Sequence, residues 1–386
     1  MNKIYIFFAL LFLSSFQITA QQLTSKATVS VVTCGPGNEL YSTFGHSAFR
    51  VYDPNLGLDK IYNYGTFDFN APNFYLNFAK GKLIYQLSTS TFSRFLRIYQ
   101  YENRWVKTQE LAIDTNEVQA IFDFLENNAK PENKLYRYDF FYDNCSTKIE
   151  DVIKTVLKDK VHFSNTHITS NKTHRDLIAD YTSNHPWSKF GIDLALGSVI
   201  DKKASKDDYK FLPDYIYKAF NNATITTQNS TTAFVKKRVT ILKERKIEEP
   251  FSILIPFTIF IFLAFVILFV TYKNILSQKR SIWLDFILYF STGLVGIVVL
   301  LLWFATSHTA TYKNFNFLWA FAPNLVIAFL LLKSKLPTWL RYYNWFLLFL
   351  LVVMVILWLL RIQVFNLALL PFILALAVRY WYLIKK

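Results

Sequence analysis

Cysteine is nearly absent from this chain: two stand in 386 residues, Cys34 and Cys145. At most one disulfide can therefore form. The His and Cys residues also lack the close ligand spacing of a metal site, so neither a metal nor another cofactor is expected. Repeats and low-complexity tracts are missing from the first 249 residues. Acid is scarce as well, with 27 Asp and Glu against 42 Lys and Arg and a net charge of +15. Nucleic acid is a poor explanation of that balance. Many basic residues flank apolar runs or sit in the mixed segment "KKRVTILKERKIEE" (Lys236 to Glu249), where acidic lipid head groups are better partners.

Apolar residues are abundant, at 53% with 18% aromatic, the profile of a part-membrane protein. The start, "MNKIYIFFALLFLSSFQITAQQ", combines an early Lys, an apolar run and Ala20 before a Gln pair, the layout of a secretory signal peptide. Residues 1–20 are expected to be removed, with an uncleaved anchor as the alternative because Ile18 is not the usual small residue. From Pro250 onward five apolar stretches follow: Pro250 to Tyr272, Phe286 to Thr306, Phe315 to Leu332, Tyr342 to Leu360 and Ile362 to Val378. Each is long enough to cross a hydrocarbon core as a helix. Lys273, Lys279 and Arg280, then Lys333, Lys335 and Arg341, and finally Lys385 and Lys386 enrich alternate connections. By the positive-inside rule these lie in the cytoplasm and residues 21–249 outside it. Three regions result: a signal peptide (1–20), an outer domain (21–249) and a five-helix transmembrane domain (250–386) in the inner membrane.

The outer domain opens with strand-like segments, "ATVSVVTC", "HSAFRVYD", "KIYNYGTF" and "KLIYQLST", separated by turn residues in "CGPGNE" and "DPNLGLD". "TNEVQAIFDFLENNA" has the spacing of a helix. A second helix, "STKIEDVIKTVL", carries Ile149, Val152, Ile153 and Val156 on one stripe and can be capped by Asn144 or Ser146. Residues 187–220 read as a loop and helix layer returning towards the membrane.

That second helix puts Cys145 in its first turn, where unpaired N–H groups and the helix dipole stabilise an anion. A thiolate is such an anion, so the position favours a lowered pKa and a usable nucleophile. A small buried hydrophobe, or half of a disulfide with Cys34, is the structural alternative. Cys34 lacks a helix start and ranks second as nucleophile. A thiol needs a base within reach, held by a third polar group. Among the outer-domain histidines, His46 stands at a strand start directly after a Gly, whereas His162, His167, His174 and His185 lie in polar, loop-like sequence.

The order of strand His, next strand, then Cys at a helix start resembles the circularly permuted branch of the papain-like, NlpC-type fold. More narrowly, "TCGPGNELYSTFGHSAFRV", "YNYGTFDF", "KGKLIYQL", "YDNCSTKIEDVI", "GIDLALGSVID", "FLPDYI" and "SHTATYKNFNFLWAFAPN" are similar to the motif series of the Lnb lipoprotein N-acyltransferases. The resemblance implies an α+β papain-like periplasmic domain ahead of an all-α five-helix membrane domain. It implies Cys145 as acyl-accepting nucleophile and His46 as its base. Asn63, with Tyr64 behind it, is the candidate to orient the imidazole, although Asn63 also reads as a strand-end turn residue. Tyr142 or the Cys145 N–H is expected to face the oxyanion. Arg50 is assigned to a lipid phosphate or to a carboxylate such as Asp53. His308, Asn314, Asn316 and Asn324 near span ends are expected to close the site over a head group or, with Trp319, to anchor the loop at the interface. The implied partners are a phospholipid donor and a lipoprotein N-terminus as acceptor. An NlpC-type cell-wall peptidase and a non-catalytic, disulfide-stapled binding domain are the rival functions.

Overall fold

The apolar run of "TVSVVTC" forms β1 (Thr28–Cys34), nearly all of whose side chains are buried, as befits a central strand covered on both faces. The structure is a computed structural model describing residues 21–227, 230–245 and 252–386. The expected signal peptide lies outside the described residues. β1 is flanked by antiparallel β2 (His46–Asp53), then by β3 (Leu58–Thr66). A short helix, α1 (Phe74–Ala79), leads to β4 (Ile84–Thr91), which pairs back on β3. After α2 (Phe92–Tyr101), β5 (Val106–Leu111) takes the other side of β1. α3 (Thr115–Ala129), β6 (Leu135–Arg137) and α4 (Cys145–Leu157) follow.

Beyond them come β7 (Val161–His162), α5 (His174–Thr182), α6 (Pro186–Ala195) and α7 (Pro213–Asn221). β8 (Thr224–Thr226) and β9 (Thr231–Ala233) join β7 in a small second sheet, and β10 (Val235–Leu242) pairs with β5. The main sheet is seven-stranded, in the order β10-β5-β1-β2-β3-β4-β6. β10 contains Lys236, Lys237 and Arg238, so part of the basic run assigned to lipid head groups is a charged edge strand, a common guard against edge-to-edge pairing.

Helices cover both faces. On one, Ile121, Phe122 and Leu125 of α3 and Ile149, Val152 and Ile153 of α4 bury against Val29, Val31, Phe49, Val51 and Tyr62. On the other, Phe92, Phe95 and Tyr99 of α2 cover Val32, Ala48, Ile61 and Val106. Each fully buried side chain of this size contributes roughly 1.5–3 kcal/mol. α3 starts in a capping box between Asp114 and Glu117, which satisfies N–H groups the helix leaves unpaired.

The membrane part contains four helices long and apolar enough to cross a bilayer among the described residues. These are α8 (Pro256–Ser277), α9 (Ile282–Phe304), α11 (Trp339–Leu359) and the segment Leu367–Ile384 that ends in α12 (Leu370–Ile384). The expected third span is different. Residues 315–332 form a 3₁₀ turn (Phe315–Leu318), a loop and the short α10 (Asn324–Leu330). The segment nevertheless runs the length of α9. At its top, Asn314 reaches the outer domain. At its bottom, the carbonyls of Leu331 and Lys333 accept from Arg280, just before α9 begins, at 3.0 and 2.6 Å. Non-helical backbone at this depth is tolerated where protein surrounds it. Here Gly296 permits the approach, since a Cβ there would lie 1.9 Å from the Ala320 carbonyl oxygen.

Candidate functional site

Asn144 sets where α4 begins. Its Oδ1 accepts from the N–H groups of Ser146 and Thr147 at 2.7 and 3.0 Å, and its Nδ2 donates to the Phe140 and Phe211 carbonyls, both at 2.7 Å. A buried N-cap with its side-chain hydrogen bonds all directed fixes Cys145 as the first helical residue, itself half-buried.

His46 is the first residue of β2, and Asn63 lies on β3. His46 Nε2–H donates to Asn63 Oδ1 in a short hydrogen bond. That bond fixes the tautomer and leaves Nδ1 as the nitrogen for the thiol. Just after Asn63 the β3–β4 register shifts, and Gly65 adopts φ of +82°. A Cβ on Gly65 would lie 3.3 Å from Cys145 Cβ, so glycine gives the helix start room against the sheet. Gly45, at φ +83°, plays a similar part before His46, its missing Cβ leaving space for the Cys34 carbonyl 2.7 Å away.

Burial alone would push the Cys145 thiol up. The charge and hydrogen bond of His46, with further bonds from the Ser47 N–H and the Ser146 hydroxyl, bring it below the ordinary thiol value instead. For His46, burial pulls the other way, and the charge and hydrogen bond of Cys145 together with the bond to Asn63 hold it above the ordinary imidazole value. Each group thus favours the charged form of the other, the direction a nucleophilic cysteine needs. Cys34 contrasts with this: burial drives its thiol far up, despite Arg104 and the Tyr99 hydroxyl nearby. Both cysteines are free, so no Cys34–Cys145 bridge staples the domain.

Other expected site residues lie elsewhere. Arg50 is held by Asp59 through Nε at 2.6 Å and Nη2 at 2.9 Å and stacks over Phe92, so it is committed within the domain. Asp53, the carboxylate first considered for it, instead binds the Thr24 backbone and hydroxyl at 2.7 and 2.8 Å. Tyr142 is 63% exposed and is not among the groups that hydrogen-bond the Cys145 thiol, which are His46, the Ser47 amide and the Ser146 hydroxyl. Tyr64 is buried in the core beneath the sheet.

Asn314 and Asn316 are buried and donate to the Asp193, Leu194 and Ala195 carbonyls at the end of α6, so they dock the two parts of the chain and are not free for a head group. Trp319 donates to Asn316, and Asn324 bonds Thr292 inside the membrane part. His308 packs on Gly81. Sequence reasoning missed Ser47 and Gly65, and it read Ser146 only as a possible helix cap, a part that Asn144 plays instead. Each lies one or two residues from a chosen one, but only tertiary structure shows which neighbour faces the thiol. Among the described residues no cluster of three or more His, Cys, Asp and Glu could hold a metal.

The fold and site define a class: a membrane-embedded protein whose outer domain gathers a cysteine, a histidine and an asparagine at a helix start beside a sheet. The family model of the Lnb N-terminal periplasmic domain matches residues 16–179, and that of the Lnb transmembrane domain matches residues 248–386. The chain belongs to the Lnb family and is a membrane protein with a periplasmic domain. No curated protein and no solved structure matches it.

Proposed function

We propose that this protein is a lipoprotein N-acyltransferase of the inner membrane that works through a Cys145 thioester. The observation that carries the reading is the Cys145, His46 and Asn63 constellation, built into a domain docked on membrane helices. Cys145 thiolate attacks an ester carbonyl of a phospholipid, and the tetrahedral oxyanion collapses by breaking the bond to the glycerol oxygen. His46 imidazolium gives its proton to that oxygen, so a lysophospholipid leaves and a thioester remains. The α-amine of a diacylglyceryl-cysteine lipoprotein then attacks the thioester. His46 takes the amine proton, an amide forms and the thiolate is released.

Amines attack thioesters readily, whereas water has to be kept out. Cys145, His46 and Asn63 are the proposed catalytic and positioning residues, with the Ser47 amide as a donor near the developing charge. The test is mass spectrometry of the full-length protein mixed with phospholipid vesicles. A hydroxylamine-sensitive acyl mass on Cys145 that passes to a diacylated lipopeptide is the expected result. An unmodified Cys145 in an enzyme that cleaves peptidoglycan peptides would replace this reading with the peptidase.

A further inference from the structure

Between β3 and β4 the chain makes an apolar excursion, residues 67–82, that contributes none of the Cys145, His46 and Asn63 cluster. Its helix α1 buries none of its residues. Phe69, Tyr75, Leu76 and Phe78 are about half exposed or more, at 55, 73, 52 and 49%. Six residues cannot form a stable amphipathic helix in water by propensity alone. Large apolar side chains gathered on one short excursion mark an interaction surface.

The structure also shows which surface lies alongside. The Lys80 carbonyl accepts from the Ser307 N–H at 2.8 Å, and Gly81 packs so closely on His308 that a Cβ would lie 2.6 Å from its nitrogen. Ser307 follows closely on Phe304, the last residue of α9. The excursion is therefore pinned at the level where a membrane helix ends. Lys80 and Lys82 at its base are exposed and suit anionic lipid head groups.

Inward, aromatic rings connect this surface to the thiol. Phe74 stacks on Phe67 at 5.7 Å, Phe67 meets Tyr85 at 5.0 Å, and Tyr85 stacks on Tyr138 at 4.3 Å. Tyr138 and Cys145 both border Gly65. The geometry points to residues 67–82 as a lipid-docking element that dips into the outer leaflet and leads a phospholipid acyl chain along these rings to Cys145. This inference rests on the proposed acyl transfer for its purpose, but not for the membrane contact itself.

The experiment uses the full chain in vesicles containing a phospholipid with a diazirine on its acyl chain. Wild type and a Phe69→Ser/Leu76→Ser/Phe78→Ser variant are irradiated and the cross-linked peptides mapped. In parallel, Cys145 acylation is timed with vesicle phospholipid and with a water-soluble short-chain thioester. The expected result is cross-links within residues 67–82 of wild type and, in the variant, at least a tenfold fall in the ratio of vesicle-driven to soluble-donor rate. A Phe69→Leu/Phe78→Leu variant should keep that ratio. Absence of cross-links in residues 67–82, or an unchanged ratio, overturns the inference even if Cys145 is acylated. Cross-links there without acylation from any donor would leave the docking element standing and sink the transferase reading.

Discussion

Asp139 and Thr309 meet across the boundary between the two parts of the chain, the Thr309 hydroxyl donating to Asp139 Oδ2 at 2.8 Å. Asp139 Oδ1 accepts the N–H groups of Phe141 and Tyr142, so the same carboxylate shapes the loop that leads into Cys145. The loop before Cys145 is thereby tied to the loop that follows the membrane helix α9. Thr309→Val removes one hydrogen bond, worth about 1 kcal/mol. Acylation from vesicle phospholipid should fall several-fold, while alkylation of Cys145 by a small reagent stays near the wild-type rate. Equal losses in both measurements would show that the contact shapes the thiol itself.

His46 supplies the main opposition to the burial cost of the Cys145 anion. In His46→Ala that burial wins, and the thiol pKa moves up. Alkylation of Cys145 at neutral pH should slow, and the pH at which the thiolate absorbance appears should rise. Single-turnover acylation should drop by roughly 10²–10⁴, the usual worth of a positioned acid–base group.

The same pair fixes the sign of the pH dependence. Cys145 titrates below the ordinary thiol value of 9.0 and His46 above the ordinary imidazole value of 6.5, as one coupled system. Below the lower apparent pKa the thiolate is protonated and attack stops. Above the upper one the imidazolium is lost and nothing protonates the departing glycerol oxygen. Single-turnover acylation should be bell-shaped, and in His46→Ala its acidic limb should shift to higher pH. A profile that rises without falling up to strongly alkaline pH would exclude the ion pair as the working form.

In the proposed mechanism Asn63 acts through His46, as a positioning residue. Asn63→Ala frees the ring to turn away, which should lower kcat by about 10–10² and leave KM for phospholipid nearly unchanged. Asn63→Asp keeps an acceptor for Nε2–H and should recover most of the rate while raising the imidazole pKa. A loss confined to KM would place Asn63 at the substrate instead.

The chain order made much of this site legible. An apolar stripe preceded by Asn144 and Cys145 marks a helix start by its chemistry alone, and the alternation around His46 marks a strand. The bulge after Asn63, which turns Gly65 towards Cys145, is a matter of β3–β4 register and leaves no local signature. Arg50 shows the same limit, because alternation places it on a face while its partner, Asp59, depends on how β2 and β3 align. Asn314 and Asn316 misled for another reason. Polar groups near span ends bind ligands or satisfy backbone, and here they satisfy the carbonyls ending α6. Hydropathy read residues 315–332 as one more helix, although Asn316, Pro323 and Asn324 divide it into a turn, a loop and a short helix.

Within the membrane part Arg379 Nε donates to Asp285 at 2.7 Å, with both side chains fully buried, and Nη1 reaches Thr271 and Asn274 at 3.1 and 2.9 Å. These contacts join α8, α9 and α12 at one level, where lipid gives no hydrophobic drive for helices to associate. Removing Arg379 leaves Asp285 with Arg280 alone, whose Nη1 donates to Oδ2 at 3.1 Å, so the cost should lie towards the lower end of the roughly 3–5 kcal/mol lost when a buried pair is broken. Arg379→Met should therefore lower the thermal midpoint of the detergent-solubilised protein markedly, while Asp285→Leu/Arg379→Met should recover a large part of the loss. A double variant no more stable than the single would mean that the cation holds the three helices through Thr271 and Asn274, with Asp285 contributing little.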